Sequence, residues 1–215
     1  MKKEEGIVRK REVKAVLFDL DGVLIDSIDA WFNVFNDTLR HFKLKASSKR
    51  NFKKDFGMPI EYDVKKYFIG KSVKEIELEY NKYFTIRKNL VKLSPQSVYT
   101  LKNLKNDKKL KIGLISNSTK FIVVTVLNHF KLKKYFKIIV TMNDVKRGKP
   151  APDMVLKACK TLKVSPKNTI LVGDSINDII AGKRAGCITI GYKIKGDYKI
   201  KNLNSITNYL NQKSN

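Results

Sequence analysis

The chain is poor in acidic residues: 20 Asp and Glu stand against 45 Lys and Arg, a formal net charge of +25 over 215 residues. It also has only two cysteines, Cys159 and Cys187, which excludes a disulfide-rich secreted scaffold and predicts buried free thiols in a reducing compartment. With 11 glycines and 5 prolines, it is neither collagen-like nor of low complexity. These absences favour an ordinary globular protein.

Long hydrophobic runs are missing as well. No apolar stretch approaches the ~18 residues that a membrane-spanning helix needs. Residues 1–5 are charged and lack the apolar segment that a secretory signal peptide carries. We therefore expect a cytoplasmic protein without a membrane partner.

The positive charge is spread along the chain instead of forming one basic block. Proteins that bind nucleic acid usually concentrate their charge on one face or arm, so the pattern does not favour that class, although the charge itself leaves it open. A field of this sign attracts small anions and speeds their arrival. We expect a small anionic partner, and the sequence carries no signal for the oligomeric state.

Five short apolar segments predict strands, at residues 13–18, 111–115, 138–141, 169–172 and 188–192. Most are apolar throughout, as expected where both faces of a parallel sheet are covered. Helical patterns lie between the later strands: one starting at Ser94-Pro95 with proline in the first turn, then residues 119–128, 152–162 and 176–185, the last ending at Gly186. This alternation predicts an α/β fold with a doubly wound parallel sheet of five strands.

The interval from residue 27 to 92 breaks the alternation, because it contains helical patterns and no convincing strand. Apolar residues recur at helical spacing from Ile28 to Phe42, and Ser72 to Glu75 form a capping box before a further helix. The interval is too long for a single crossover. We predict a small all-helical cap domain at 27–92, inserted after the first strand of a catalytic core made of residues 1–26 and 93–215.

Two carboxylates leave the end of the first strand, at Asp19 and Asp21, with Gly22 just after them. Side chains alternate along a strand, so the two acids start on the same face. Acids this close repel each other unless a cation or a shared proton intervenes. The structural alternative is an ordinary Asp-Gly turn. The polar residues that follow the other predicted strands favour a chemical role for the two acids.

Polar residues also follow three other predicted strands. Ser116 and Asn117 lead into a helix, where a hydroxyl and backbone N–H groups suit a phosphate oxygen, although an ordinary helix cap has the same composition. Lys149, before Pro150, is a candidate cation for phosphate. Asp174 and Asp178 open a helix four residues apart, and their hard oxygens suit Mg²⁺.

Ligands of doubly wound sheets bind outside the carboxyl ends of the strands, where the strand order reverses. The predicted topology brings these side chains together at that edge. In this order and spacing, the motifs resemble those of the haloacid dehalogenase superfamily of phosphatases, over essentially the whole chain, and the insert resembles the helical cap of the phosphoglycolate phosphatase and β-phosphoglucomutase branch. The matching segments are Asp19 to Val23, Ser116-Asn117, Lys149-Pro150 and Gly173 to Asp178. The resemblance implies a Rossmann-like sheet whose five strands have the order 3-2-1-4-5.

The resemblance implies a role for each site residue. Asp19 would be the nucleophile that forms an aspartyl-phosphate, and Asp21 the general acid and then base. Mg²⁺ would be held by Asp19, Asp174, the Asp21 backbone carbonyl and Asp178, the last directly or indirectly. Ser116, Asn117 and Lys149 would bind the phosphate, and Lys149 would also offset the charge that develops during transfer. Dehalogenases of the superfamily lack the second acid, so Asp21 favours phosphoryl transfer.

The substrate is the least determined property. We expect a small phosphomonoester resembling phosphoglycolate, with pyrophosphate, nucleotides and sugar phosphates as open alternatives. β-Phosphoglucomutase-like members of the family carry a histidine early in the first cap helix. This chain has Trp31 at the comparable position, which disfavours a phosphomutase. We expect Trp31 and Asp29 to lie near the cleft entrance. The alternatives to a phosphatase are that mutase and a nucleic-acid-binding protein with a vestigial site.

Overall fold

The five predicted strands lie side by side in one parallel sheet. A computed structural model describes residues 12–214, with 211–214 as backbone alone. The sheet order is β5-β4-β1-β6-β7-β8, which confirms the predicted order and adds a sixth strand. The strands are β1 (Ala15–Phe18), β4 (Lys111–Ser116), β5 (Ile138–Thr141), β6 (Thr169–Gly173), β7 (Ile188–Tyr192) and β8 (Tyr198–Ile200).

The additional strand β8 lies at the edge of the sheet and pairs with β7. Tyr198 and Lys199 are exposed and only Ile200 is buried. A three-residue edge strand has no apolar run, which is why the periodicity of the sequence did not predict it.

The central strand β1 packs on both of its faces. Val16 and Phe18 belong to a core that includes Leu101 and Ile122, whereas Leu17 on the other face packs with residues such as Val155. Successive side chains of a strand point to opposite faces, so a strand covered on both sides is apolar at every position. This explains the continuous apolar run.

Helices cover both faces of the sheet. They are α5 (Ser97–Asn106), α6 (Lys120–His129), α7 (Asp153–Leu162), α8 (Ile176–Ala185) and α9 (Ser205–Ser214). Gly186 follows α8 with φ 85°, so the predicted helix end is confirmed. The predicted start of α5 is wrong by two residues: Ser94 N–H donates to the Leu24 carbonyl, and the chain turns at Gln96 before the helix begins.

Four helices form the insert, which we call the helical insert (residues 27–92): α1 (Ile28–His41), α2 (Lys49–Asp55), α3 (Ile60–Tyr67) and α4 (Val73–Arg87). The predicted capping box is present, with Ser72 N–H donating to Glu75 at 2.7 Å. Phe35 on α1 is the centre of an aromatic cluster, its ring centroid 5.3 Å from Phe52 and 5.0 Å from Tyr67. Aromatic packing thus joins α1 to α2 and α3.

Two very short strands connect the helical insert to the rest of the fold. β2 (Ile25–Asp26) pairs antiparallel with β3 (Lys92–Leu93). The expectation of no strand in this interval is therefore wrong at residues 92–93. Two-residue strands have too few positions to show a period in the sequence, and only their pairing defines them.

Both cysteines are buried and unbridged, as predicted. Among the described residues, no helix has the length and apolar character needed to cross a bilayer.

Candidate active site

The acids predicted at the strand ends meet at the carboxyl edge of the sheet. Asp19 extends the pairing of β1, since its N–H donates to the Val172 carbonyl at 2.9 Å. β1 lies between β4 and β6, so the residues that end those strands, Ser116 and Gly173, flank it. Asp19 is 6% exposed and lines a cleft with Asp21, Ser116 and Asp174.

A buried lysine links two of these acids. Lys149, 3% exposed, donates to Asp19 at 2.7 Å and to Asp178 at 2.6 Å. Asp178 also accepts hydrogen bonds from the Ser175 N–H and hydroxyl, at 3.1 and 2.5 Å. Asp178 therefore accepts three hydrogen bonds, and it anchors Lys149 against Asp19.

The charges at this edge shift one another's pKa. Burial raises the pKa of Asp19 well above its ordinary value; Lys149 opposes the rise, and the neighbouring carboxylates add to it. Burial disfavours the charged form of Lys149 and would lower its pKa. The attraction of the Asp178 and Asp19 carboxylates for its ammonium is larger, so the pKa of Lys149 is raised. Burial, followed by repulsion from Asp178, raises the pKa of Asp174 to about 7. If all three acids were ionised, their negative charge would exceed what one lysine offsets, and the raised pKa values of Asp19 and Asp174 reflect that repulsion together with burial.

The same acids have the donor set of a divalent-cation site. Asp19, Asp174 and Asp178 each offer a carboxylate oxygen, and these oxygens lie within 4.8 Å of one another. Oxygens on opposite sides of an octahedral Mg²⁺ are about 4 Å apart, because each bond is about 2.1 Å long. Hard oxygen donors at this spacing can hold such a cation, which would also relieve their repulsion.

Two glycines make room for the acids. Gly22 has φ +78°, and a Cβ there would lie 1.9 Å from the Asp174 carboxylate. At Gly173 a Cβ would lie 2.1 Å from the Cβ of Asp178. Any other residue at either position would displace an acid of the cluster.

Substituting Gly22→Ala should therefore damage the acid cluster as well as the turn. We expect a loss of stability of about 1–3 kcal/mol and loss of the rise in melting temperature that a divalent cation produces. Gly70→Ala is the matched control, because Gly70 has φ +82° with no neighbour within 4 Å. Thermal unfolding with and without Mg²⁺ measures the stability of each variant and the rise in its melting temperature on adding Mg²⁺. An equal rise in the two variants would contradict the role of Gly22.

Asp21 lies in a separate environment from Asp19. Its Oδ1 accepts hydrogen bonds from the Ser27 hydroxyl and from the Trp31 indole N–H, the latter at 3.2 Å, and its Oδ2 accepts from the Ser118 hydroxyl at 3.1 Å. Burial raises the pKa of Asp21, and the hydrogen bonds from Ser27, Ser118 and Trp31 moderate the rise. The two acids of the first motif thus differ in their partners.

The two predicted phosphate-binding residues after β4 have different surroundings. Ser116 Oγ accepts from the Ser118 N–H at 3.1 Å at the base of the cleft. The Asn117 side chain accepts from the Lys149 N–H at 2.8 Å and donates to the Lys149 carbonyl at 3.0 Å. It also donates to the Gly57 carbonyl of the helical insert. The Asn117 side chain therefore holds the Lys149 backbone in place.

The helical insert closes the cleft from the other side. Besides the Asn117 contact, Thr119 donates to Asn81 at 2.9 Å and Asn143 donates to Glu77 at 3.1 Å. The space between the insert and the sheet edge is a cleft open to solvent, lined by residues from both sides. Ser27, Ser118 and Thr119 are site residues that the sequence did not predict, because a lone hydroxyl carries no motif.

Of the two residues expected near the cleft entrance, one is there. Trp31 lines the cleft and packs edge-on against Tyr80, with ring centroids 5.6 Å apart. Asp29 is exposed and pairs instead with Lys49 on the surface, so its expected position is wrong. Residues on one helix differ by about 100° per position, which places Asp29 and Trp31 on different faces of α1.

The fold and the acid-lined cleft define the chain as an α/β enzyme of the hydrolase class. Its sequence matches the haloacid dehalogenase-like hydrolase family over residues 16–192, and the chain belongs to that family. The resemblance predicted from the motifs is confirmed.

Individual relatives cover most of the chain. Pyrophosphatase PpaX of Anoxybacillus flavithermus is 30% identical over 186 residues, 86% of each chain. Phosphoglycolate phosphatase of Aquifex aeolicus is 32% identical over 178 residues, 82% of this chain and 83% of that one. The crystal structure of a hydrolase from Pseudomonas syringae has a TM-score of 0.81 at 20% identity, covering 93% of this chain and 98% of that one, a likeness of fold.

Proposed function

We propose that the protein is a Mg²⁺-dependent phosphatase that hydrolyses a small phosphomonoester through an aspartyl-phosphate on Asp19. The observation that carries the proposal is the buried contact of Asp19 with Lys149 beside the carboxylates of Asp174 and Asp178. The phosphatase and pyrophosphatase names of the relatives support the reaction class.

Asp19 is the proposed nucleophile. Its carboxylate lines the cleft from a rigid strand end, where an attacking oxygen is held in a defined direction. The bond that forms joins this oxygen to phosphorus, and the bond that breaks joins phosphorus to the leaving oxygen. Lys149 faces the same carboxylate and, with Ser116, offsets charge on the transferring phosphoryl oxygens.

Asp21 is the proposed general acid and base. Burial raises its pKa, which favours the protonated form that a general acid needs. Once that proton is given up, Asp21 is a carboxylate and takes a proton from the water that hydrolyses the aspartyl-phosphate. The Trp31 indole N–H and the Ser118 hydroxyl orient its two oxygens for both steps.

Mg²⁺ would be held by Asp19 and Asp174, with the backbone carbonyl of Asp21 and with Asp178 in support. When bound, it neutralises the repulsion between the acids and a phosphate dianion. Asp178 already accepts three hydrogen bonds, so we assign it mainly to holding Lys149.

The helical insert is the proposed cap domain, residues 27–92, on a core of residues 1–26 and 93–215; residues 1–11 of that core lie outside the described part. The β2–β3 pair is the proposed hinge, since both connections to the insert pass through it. Closure of the cap would exclude bulk water during transfer, and the Trp31 indole already contacts Asp21 in this arrangement.

Phosphate release from a panel of phosphoesters tests the proposal. We expect release in the presence of Mg²⁺ and a loss on the order of 10²-fold or more when the metal is chelated, with recovery on adding Mg²⁺ back. The panel includes phosphoglycolate, pyrophosphate and sugar phosphates, because the phosphoglycolate-like substrate is still a prediction. Full activity in chelator would refute the metal dependence, and an isomerised sugar phosphate without free phosphate would identify a mutase instead.

A further inference from the structure

The wall of the cleft opposite the acids is built from aromatic rings. The helical insert contributes Trp31, Phe35, Phe52, Phe56, Tyr67 and Tyr80. Phe35, Phe52 and Tyr80 are each less than 9% exposed. A phosphate held at Asp19 would direct its leaving group toward this wall, so the wall contacts the part of the substrate that varies between phosphomonoesters.

Beside that wall, Lys66 stands 5.2 Å from the ring centroid of Tyr67, but its ammonium is already paired with Asp55. In a chain with 45 Lys and Arg, Lys149 is the one cation among the described residues that line the cleft, and it is already paired with two carboxylates. The helical insert supplies two further acids to the cleft, Asp55 and Asp63. The leaving-group end of the cleft therefore offers, among the described residues that line it, no unpaired cation for an anion.

The two acids of the insert are not equivalent. Asp55 is neutralised by Lys66 at 2.7 Å and accepts hydrogen bonds from the hydroxyls of Tyr62 and Tyr67. Asp63 accepts one side-chain hydrogen bond, from the Tyr80 hydroxyl to Oδ2 at 2.8 Å. No fully buried side-chain oxygen in the described part of the chain lacks a partner, so Oδ1 of Asp63 is at least partly accessible to solvent, and Asp63 lines the cleft.

Resting on the proposed function, we propose that the leaving alcohol of the substrate carries no negative charge, and that it presents an apolar or aromatic body with an ammonium group that meets Asp63. Ring faces attract a cation, and a carboxylate opposite strengthens the contact. A carboxylate or second phosphate on the leaving group would instead lose its hydration against the rings with no cation to replace it. This substrate class differs from phosphoglycolate and from pyrophosphate.

The test compares phosphoesters that differ in the charge of the leaving group alone. Phosphoethanolamine and phosphoglycolate have the same chain length, and phenyl phosphate can carry a para-aminomethyl or a para-carboxyl group. The assay is run at pH 8, because burial raises the pKa of Asp63 to about 7 and its carboxylate is then mostly ionised. We expect kcat/KM to be higher for the ammonium member of each pair, by about tenfold or more.

Asp63→Asn keeps an acceptor for Tyr80 and removes the charge. We expect it to reduce the ratio of kcat/KM for the ammonium over the neutral phenyl phosphate by about tenfold. Glu61→Gln, an exposed acid of the same helix, controls for net charge and should leave the ratio unchanged. Comparing ratios between variants cancels the intrinsic reactivity of each ester.

Three results would overturn the inference, and only the third would also overturn the proposed phosphatase function. A wild-type preference for the carboxylate esters refutes the leaving-group class but leaves the phosphatase intact. An ammonium preference that survives Asp63→Asn in a folded variant refutes the role of Asp63. If no phosphoester, para-nitrophenyl phosphate included, releases phosphate with Mg²⁺, the proposed function fails and the inference with it.

Discussion

Asp19→Asn should abolish phosphate release, with kcat lower by about 10³-fold or more, because an amide oxygen cannot form the aspartyl-phosphate. The variant should also fold at least as well as the wild type. Burial and neighbouring acids raise the pKa of Asp19, so its ionised form is disfavoured in the folded protein, and Asn removes that penalty. We expect a melting temperature in Mg²⁺-free buffer that is equal or higher.

Steady-state phosphate release and thermal unfolding measure the two effects, and mass spectrometry of acid-quenched wild-type enzyme detects the phosphoryl adduct. Asp107→Asn, in an exposed loop after α5, is the matched control and should change neither property. A fully active Asp19→Asn enzyme would eliminate the covalent mechanism.

Asp21→Asn should lower kcat/KM for an alkyl phosphate by about 10²-fold or more, because the leaving alkoxide then receives no proton. Asn keeps an acceptor for the Trp31 indole N–H, so the local packing is preserved. For para-nitrophenyl phosphate the loss in kcat/KM should be much smaller, since nitrophenolate leaves without a proton. The turnover number should fall for both substrates, because the second step needs Asp21 as a base.

The measurement is kcat/KM for the alkyl phosphate and for para-nitrophenyl phosphate, each in the wild type and in Asp21→Asn. Asp29→Asn is the control: Asp29 is exposed on the same insert and pairs with Lys49, away from the cleft. An equal loss in kcat/KM for both esters would show that Asp21 acts on substrate binding or on the position of Asp19, not as the acid.

The positions of the strands could be predicted because the cause of their pattern is local. Strands buried on both faces are mostly apolar, and so are the segments at 111–115, 138–141 and 169–172. The order of the strands came from the family resemblance, because pairing between distant segments leaves no local pattern. The β2–β3 pair and β8 were missed, because two or three residues held by pairing leave no pattern in the sequence. The start of α5 was displaced by a hydrogen bond from Ser94 to Leu24, a partner 70 residues away.

The acids of the site were predictable for the same reason, and their surroundings were not. Carboxylates after an apolar strand are visible in the chain, whereas the hydroxyl of Ser118 contacts Asp21 across 97 positions. Asn117 was expected to bind phosphate; its side chain contacts Lys149 and Gly57, which only the approach of two distant loops allows.

The amino-acid sequence by itself determined the α/β class, the place of the helical insert and the acids at the strand ends, because each follows from short-range patterns. Only the tertiary structure decided the order in which the strands pair and the partners of each acid: Lys149 between Asp19 and Asp178, Trp31 on Asp21, and Lys66 on Asp55 beside the aromatic wall. Those properties depend on burial and on distances between residues far apart in the chain, which no local pattern records.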